Sequence, residues 1–535
     1  MKRLKTRKGN TVPQRPEDER LPLGRSFTYG LQHVLTMYGG IIAVPLIVGA
    51  AAGMTQDEIA LLIASCLFIG GIATILQSYG LPFFGSQLPL VQGVSFAGVA
   101  TMIAILEGGG GIQAVFGAVL VASVIGLLIA PFFARIIHFF PPVVTGIVIT
   151  TIGLTLLPVA ANWAMGGNSE AEDYGSLTNI GLAAFTLALV LLLSKLGNAS
   201  ISRLSILLAI VGGAVIAAIF GVADFSGVMD GDIVAFPQPI AFGWPTFQLA
   251  AIISMVIVVL VTMTETTADI LAVGEIAKTK VDSRRIADGL RADMLSSAVA
   301  PIFNSFTQTA FAQNVGLVAI TGVRSRFVVT AGGVIMLVLG LLPLLARIVA
   351  AVPTPVLGGA GVVLFGTVAA SGIRTLAKVD YQDNMNLIIV AVSLGFGMIP
   401  VVSPTFYDAF PTWFGIIFHS GISSAAIMAV LLNLLFNHLK AGNSSQQSVF
   451  VASPPRMVRA EELQAFRDGD HYDGGKLMDA HGAEVPVVNA AQFVLVQEKM
   501  KKGEITDSDD IRRICDSTGS ANGTPDGPGA EGRNR

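Results

Sequence analysis

The sequence predicts an all-α polytopic membrane protein, and three observations support this fold class: composition, the length of the apolar segments and the placement of basic residues. Of the 535 residues, 53% are hydrophobic and only 13% are charged. A typical soluble domain has about 25% charged residues, so water cannot be the solvent for most of this surface. The 59 glycines suit a bundle whose helices approach closely in a bilayer.

Apolar segments long enough to cross a bilayer recur along the chain. A helix needs roughly 20 apolar residues to cross about 30 Å of hydrocarbon. The clear candidates are 29–50, 58–80, 111–133, 143–163, 177–194, 203–222, 247–275, 327–346, 355–373, 384–402 and 421–438. Three weaker segments carry Gly, Pro, Gln, Asn and Ser, which favours short or broken spans beside a polar cavity; these are 88–105, 290–306 and 310–322. Together the segments predict about fourteen spans.

Basic residues test this count independently. If the basic N-terminal tail is cytoplasmic and the chain crosses fourteen times, only Arg347 among the Lys and Arg residues between 26 and 439 lies outside. The residues on the cytoplasmic side are Arg135, Lys195, Arg203, Lys278, Lys280, Arg284, Arg285, Arg291, Arg324, Arg326, Arg374 and Lys378. This distribution follows the positive-inside rule. We therefore expect a multi-pass protein of the plasma membrane with both termini in the cytoplasm.

The two tails differ from the apolar region between them. Residues 1–28 are polar and basic and do not have the features of a signal peptide. Residues 441–535 are rich in Ser, Asp, Glu, Lys and Gly, which favours a cytoplasmic, partly disordered tail. Within it, the short apolar stretch 485–497 predicts one strand or helix. We assign no activity to this C-terminal tail.

Two acidic residues lie inside the eighth predicted span. Glu265 and Asp269 follow an apolar run and are four residues apart, so that they share one helix face. An ionisable residue in a span costs about 2.5–3.5 kcal/mol, and two carboxylates this close cannot both be charged cheaply. The pair therefore predicts a proton acceptor. Alternatively, Glu265 only marks the cytoplasmic helix end, because Lys278 and Lys280 follow.

Other polar groups in apolar surroundings indicate where a site is placed. Asp293 opens the next span and is either functional or a helix-start residue at the interface. His33 in the first span is either functional or a hydrogen-bonded structural residue. Clusters of Gln, Gly and hydroxyl residues at 85–96 and 307–321 occupy the third segment of each half. Matched interruptions indicate inverted repeats with a substrate between them; because we detect no sequence identity between the halves, this prediction rests on position.

Several classes of function are excluded. The net charge of −3 argues against a nucleic-acid partner, because phosphate binding needs a basic face. Cys66 and Cys515 lie far apart, so no disulfide framework or Cys-rich metal site is predicted. The sequence has no metalloprotease helix, nucleophile elbow or phosphate loop. We therefore predict that the protein is not an enzyme and uses no metal or cofactor.

One stretch in the tenth predicted span resembles a known family signature. The run Gln313 to Gly322 (QNVGLVAITG) resembles that of the nucleobase–ascorbate transporter family: Gln, Glu or Pro, then Asn, any residue, Gly, four more residues and Thr. Other stretches agree in order, namely Gln32-His33, Gly93 to Ala97, Glu265 with Asp269, and PVLGGAGVVLFGTVAASGI from Pro355. The resemblance covers roughly residues 26–440.

The resemblance implies fourteen spans in two inverted repeats of seven, with short strands in broken spans 3 and 10. It implies a core that carries the site and a gate against which the core moves as an elevator, in a chain that forms homodimers. With these boundaries, the expected organisation is an N-terminal tail 1–28, core 29–133, gate 134–245, core 246–350, gate 351–440 and a C-terminal tail 441–535.

The resemblance also implies site residues. Glu265 and Gln313 would hydrogen-bond the ring N–H groups of a nucleobase, and Asn314 would hold the site in shape. Phe96 and Ala312 would offer backbone groups, with the rings of Phe96 and Phe311 near the base. Asp269, Asp293 and His33 match polar positions linked with proton coupling or site integrity.

The residue at the first signature position favours a substrate class. Xanthine and urate members of the family resemble the Gln313-Asn314 pair, uracil members have Glu-Asn and ascorbate members Pro-Asn. A neutral amide donates and accepts, and so suits the mixed edge of an oxopurine; the small Ser95 would leave room for the C8 oxygen of urate. The expectation is a symporter of oxopurines and protons in contact with membrane lipid. The alternatives are a uracil permease or a sulfate-permease-type anion transporter, which Glu265 argues against.

Overall fold

A computed structural model describes residues 15–136, 141–379, 381, 385–439, 457–459, 470–473, 476–478, 484–501, 511 and 513–514. The chain divides into two compact units, residues 1–379 with 388–440 and residues 380–387 with 441–535. They are called the membrane unit and the C-terminal unit below, and each is described by itself.

The membrane unit is helical apart from one pair of short strands. The helices of its first half are α1 (Leu23–Ala51), α2 (Gln56–Tyr79), α3 (Val99–Glu107), α4 (Gly111–Ile136), α5 (Pro142–Ala164), α6 (Leu177–Leu196), α7 (Ala199–Arg203) and α8 (Ser205–Ile219). Those of its second half are α9 (Leu249–Ala277), α10 (Ser283–Val299), α11 (Ala312–Thr321), α12 (Arg326–Gly340), α13 (Pro343–Ala350), α14 (Thr354–Leu376), α15 (Asn386–Val402), α16 (Thr412–Phe418) and α17 (Gly421–Asn433). A π-helical turn, Leu434–His438, extends α17.

The fold class is confirmed, because apolar helices dominate the described chain. Within the described residues, 8 helices are long and apolar enough to cross a membrane, or up to 9 if the bent pair α12 and α13 is one span. Shorter apolar helices lie at Phe96–Glu107, Ser205–Ile219, Ala312–Thr321 and Asn386–Val402. Each predicted segment overlaps at least one helix, but the segment 290–306 is displaced, because α10 begins at Ser283 and ends at Val299. The number fourteen stays a prediction.

One predicted span is not a single helix. The stretch 327–346 reads as continuously apolar, but α12 ends at Gly340 and α13 begins at Pro343, bent by 77°. Proline has no N–H to donate to the preceding turn and disfavours helical geometry in the residue before it. Leu342 accordingly leaves the helical region, and Pro343 opens the next helix, a position where its missing N–H costs nothing.

Two short strands interrupt the third and tenth predicted spans, as expected. Strand β1 (Gln92–Val94) precedes α3, and strand β2 (Gln308–Ala310) precedes α11. The strands pair antiparallel, with Gly93 opposite Thr309. Each strand lets the chain change direction at membrane depth while its backbone groups stay hydrogen-bonded, as a buried irregular segment requires.

Helix packing in the membrane unit is pairwise. Helices α1 and α2 pack on α12, while α9 and α10 pack on α4; α5 packs on α14 and α17, while α14 packs on α8. Helix α6 also packs on α14 and on α8. Glycines allow the closest approaches: a Cβ at Gly153 of α5 would lie 2.2 Å from the backbone nitrogen of Ala369 in α14.

The C-terminal unit is a small mixed structure. Strand β3 (Val458–Arg459) pairs parallel with β6 (Val487–Val488), and β4 (His471–Asp473) pairs antiparallel with β5 (Lys476–Met478). Helix α18 (Ala490–Lys501) follows β6. The apolar stretch 485–497 thus forms both a strand and the first turns of a helix. A small hydrophobic cluster of Val488, Val496 and Ile511 stabilises the unit.

Candidate functional site

Glu265 lies on α9 and contacts strand β2. Its side chain is half-buried, and the hydroxyl of Thr309 in β2 donates to its Oε2 at 3.5 Å. Helix α9 runs past Glu265 without a break to Ala277, so this carboxylate does not mark the helix end. A cavity of about 10 Å³ adjoins it, lined by Thr145, Val148, Ile149, Val261, Thr264 and Glu265. Helices α5 and α9 therefore face each other at this carboxylate.

Two further carboxylates accompany Glu265. Asp293 of α10 is 1% exposed, and it accepts a hydrogen bond from the Thr266 hydroxyl at 2.6 Å and one from the Gln77 amide at 3.2 Å. Asp269, one turn after Glu265, is also buried, and its Oδ2 has no hydrogen-bond partner in the described part of the chain. The three acids therefore differ sharply in the donors that could stabilise a negative charge.

Two aromatic rings flank the strand pair. Phe96 follows β1 and Phe311 follows β2, with ring centroids 6.4 Å apart and planes tilted by 48°. The Phe311 ring fits only because α1 and β1 have glycines beside it: a Cβ at Gly40 or Gly93 would lie 2.8 or 2.7 Å from ring carbons of Phe311. Ser95 is buried, and its backbone N–H donates to the carbonyl of Thr307 at 2.8 Å.

Asn314 joins α11 to α1. Its amide nitrogen donates to the backbone carbonyl of His33 at 2.9 Å and lies 3.1 Å from the ring Nδ1 of the same residue. Because the His33 carbonyl can only accept, the Asn314 side-chain atom that faces it must be the amide nitrogen. The same nitrogen donates to Nδ1 of His33, which is therefore the acceptor. His33 is therefore neutral with its proton on Nε2 in this arrangement, and the Asn314 contact holds the start of α11 against the first helix.

Gln313 and Ala312 occupy the first turn of α11 and are exposed. Within the described chain, no hydrogen bond links Gln313 to Glu265. The structure therefore brings Glu265, Asp269 and Asp293 together and joins Asn314 to His33. It leaves Gln313 and Ala312 exposed.

Three residues that contact Glu265 or Asp293 are not predicted from the sequence. Thr266 and Thr309 bear hydroxyls that connect Glu265 with Asp293, and Gln77 holds Asp293 from α2. Thr266 looks like one of several threonines that can bond to their own helix. Gln77 could have been predicted to bind a polar partner, because an amide inside a strongly apolar span is rare unless it is paired.

Apolar helices that surround two broken segments, with strands between them and acids beside them, define a transporter fold. Solved structures agree. The transmembrane domain of the cyanobacterial bicarbonate transporter BicA matches with a TM-score of 0.52 and 16% identity, covering 76% of this chain and 98% of that one. The murine anion transporter Slc26a9 matches with a TM-score of 0.53 and 12% identity, covering 77% and 69%. Such likeness shows the fold alone.

Sequence comparison gives the family. The Permease family profile (Xan_ur_permease) matches residues 24–406. The chain is 40% identical over 437 residues to the uric acid transporter UacT of Escherichia coli K12, covering 81% of this chain and 90% of that protein. It is 39% identical over 435 residues to the xanthine permease of Bacillus subtilis 168, covering 81% and 99%. The chain belongs to this permease family, the nucleobase–ascorbate transporters, which confirms the resemblance read from Gln313 to Gly322.

Proposed function

We propose that the protein is a proton-coupled symporter that imports an oxopurine, xanthine or uric acid or both, across the plasma membrane. The observation that carries the proposal is Glu265, a half-buried carboxylate beside the strand pair of a permease fold. The similarity to proteins named as uric acid and xanthine permeases supports an oxopurine cargo. A carboxylate that accepts from ring N–H groups suits this substrate class.

Oxopurine recognition would use the groups around the strand pair. In this proposal Glu265 and the accessible Gln313 hydrogen-bond the ring edge, while Phe96 and Phe311 lie against its apolar faces. The backbone groups of Phe96 and Ala312 complete the polar contacts, and Ser95 leaves room at the C8 side. Asn314 keeps α11 in place through His33.

Entry of the substrate requires a change of shape. The cavity at Glu265 measures about 10 Å³, which has room for roughly one water molecule and not for a purine. Its walls belong to α5 and α9, and so to the proposed gate and core. We infer that these helices separate to admit the base and that the core, 29–133 with 246–350, then moves against the gate, 134–245 with 351–440, as an elevator.

Protons would couple to this movement through the acids. Burying a net charge is costly in a low-dielectric site, so a protonated, loaded core crosses the bilayer more easily than a charged one. Glu265, Asp269, Asp293 and His33 are the groups we assign to this role. We further propose a homodimer with both termini in the cytoplasm.

Uptake of a panel of labelled purines and pyrimidines, with and without a protonophore, tests the proposal. We expect concentrative uptake of xanthine or urate that the protonophore abolishes. Xanthine uptake displaced by excess uracil would favour the uracil-permease alternative. Concentrative uptake unaffected by the protonophore would contradict proton coupling.

An anion transporter of the sulfate-permease type is less well supported. The likeness to BicA and Slc26a9 is at 16% and 12% identity and concerns the fold. A site for an inorganic anion favours a basic group or helix N-terminus, whereas α9 supplies Glu265 and Asp269 and has no Lys or Arg in its sequence.

A further inference from the structure

A line of hydroxyl groups connects the half-buried Glu265 with the buried Asp293. The Thr309 hydroxyl lies 3.5 Å from Oε2 of Glu265 and 3.3 Å from the hydroxyl of Thr266. The Thr266 hydroxyl in turn lies 2.6 Å from Oδ2 of Asp293. Thr309 is 3% exposed and Thr266 is 0% exposed. Two buried hydroxyls therefore bridge the two carboxylates.

Gln77 fixes which oxygen of Asp293 takes part. The backbone N–H of Ser86 donates to Oε1 of Gln77 at 3.0 Å. Because a backbone N–H cannot accept, the amide of Gln77 has only one orientation, and its Nε2 must donate to Oδ1 of Asp293 at 3.2 Å. Oδ1 is thus occupied, and Oδ2 is the oxygen that faces the hydroxyls.

The Thr266 hydroxyl is positioned to pass on one proton. It accepts from the backbone N–H of Ala310 at 3.3 Å, so its own hydrogen is free to point at Asp293 or at Thr309. Unlike other threonines of α9, it does not donate to its own helix: Thr267, the next residue, donates to the carbonyl of Met263 at 2.7 Å. The strand pair supplies this arrangement, because β2 places Ala310 and Thr309 against α9.

We propose that Thr309 and Thr266 form a two-hydroxyl relay through which a proton passes between Glu265 and Oδ2 of Asp293, with Gln77 as a positioning residue. This proposal rests on the proposed proton-coupled function. In the transfer, Glu265 gives its proton to the Thr309 oxygen, Thr309 gives its own to Thr266, and Thr266 gives its own to Asp293. One proton moves, each hydroxyl keeps one hydrogen, and Glu265 is left charged.

The surroundings contain few other titratable groups. Asp269 of α9 faces the same acids, while α2 contributes Gln77 and β2 contributes Thr309, neither of which titrates in the working range. His33 of α1 is bound to Asn314. Arg285 of α10 donates to the carbonyl of Ser86 at 2.6 Å and pairs with Glu17, so its charge is already matched.

The test compares Thr266→Val with Thr266→Ser in proteoliposomes. Two quantities are measured, substrate-driven proton uptake and counterflow of labelled oxopurine at equal pH, which needs no net proton transfer. Valine keeps the volume of the side chain and removes the hydroxyl. Substrate-driven proton uptake should therefore fall at least about tenfold, while the rate and KM of counterflow stay within about threefold of the wild-type values. Serine should restore coupling. At position 309 the same difference is expected: Thr309→Val should lose coupling and Thr309→Ser should keep it. Thr267→Val is the matched control that should leave both quantities unchanged.

The Gln77→Met variant provides an independent readout. Without the amide donor on Oδ1, Asp293 should hold its proton more tightly, so the pH profile of coupled uptake should shift to higher pH. An unchanged profile would contradict the positioning role.

The outcomes separate the two proposals. Wild-type protein that moves oxopurine without protons rejects both the symporter and the relay. Wild-type coupling that persists in Thr266→Val and Thr309→Val rejects the relay alone. Loss of counterflow together with coupling, in the serine as well as the valine variants, also rejects the relay, because it shows a purely structural role.

Discussion

At the scale of single residues, the position of the Phe311 ring in the proposed site depends on two glycines. The Phe311 ring lies between α1 and β1, and it can do so only because Gly40 and Gly93 have no side chain. A Cβ at Gly93 would come within 2.7 Å of the ring and 2.8 Å of Met37. A close-packed interior accommodates such an overlap only by moving the ring.

Gly93→Ala is therefore expected to impair recognition rather than insertion into the membrane. Displacing Phe311 should raise the KM for oxopurine uptake about tenfold, because small misplacements at a binding site have large effects. Gly181→Ala in α6 is the matched control, since a Cβ there meets nothing within 4 Å and the position lies outside the signature. Uptake of radiolabelled oxopurine at equal surface expression gives the KM of both variants. An unchanged KM in Gly93→Ala would contradict the role given to Phe311.

The sequence reveals the acids of the site but not their partners. Glu265 and Asp269 stand out because carboxylates are expensive inside an apolar segment. Their hydroxyl neighbours do not, because threonine is common in spans. Gln77 and Asp293 are 216 positions apart in the chain, and only the packing of α10 against α2 brings them together.

At the scale of elements, a short N-terminal segment braces three loops. A 3-10 turn, Pro16–Asp18, places Glu17 in a fully buried position where it pairs with Arg285 at 2.6 Å. Arg285 also donates to the carbonyl of Gln87, and Asp18 pairs with Arg326 at 2.6 Å. The segment thus links the loops before α10, β1 and α12.

Glu17→Ala should destabilise the membrane unit measurably. Removing one partner of a buried ion pair leaves an uncompensated charge, which costs about 3–5 kcal/mol. The double variant Glu17→Leu with Arg285→Met should lose less than Glu17→Ala, because no lone charge remains. Thermal unfolding in detergent measures this, with the exposed Glu170→Ala as control. Equal unfolding temperatures for Glu17→Ala and the control would contradict the brace.

Element boundaries show where a hydropathy pattern succeeds and fails. The pattern predicts the broken spans 88–105 and 310–322, because Gln, Gly and hydroxyl residues interrupt them. It overlooks the break between α12 and α13, since Pro343 lies in a stretch that is otherwise apolar. It also treats Arg15 to Glu19 as tail, because buried ion pairs made by a polar segment leave no periodic signature.

At the scale of the whole molecule, a buried hydroxyl cluster joins the proposed core to the proposed gate. Thr101 of α3 lies 2.9 Å from the hydroxyl of Ser420, which caps α17, and 3.4 Å from that of Ser423. Ser254 of α9 lies 3.5 Å from Ser423. If the core moves against the gate, these contacts must break in each cycle.

A disulfide between Thr101→Cys and Ser420→Cys should therefore arrest transport, and a reductant should restore it. The control pair is Ser78→Cys with Thr330→Cys, whose hydroxyls are 2.8 Å apart on α2 and α12, both within the proposed core. That disulfide should leave uptake unchanged. Both pairs are made in a chain whose Cys66 and Cys515 are replaced by alanine. Full transport by the oxidised Thr101–Ser420 pair would contradict relative movement of these two parts.

The central claim is that the carboxylate of Glu265 couples oxopurine movement to protons, and Glu265→Gln tests it most directly. Glutamine keeps the size of the side chain and one of its acceptor oxygens but cannot exchange a proton at neutral pH. Proton uptake driven by an oxopurine gradient is measured in proteoliposomes of wild-type and variant protein. We predict proton uptake with substrate in the wild type and none in the variant. A variant that still concentrates the oxopurine at the expense of a proton gradient would contradict the account.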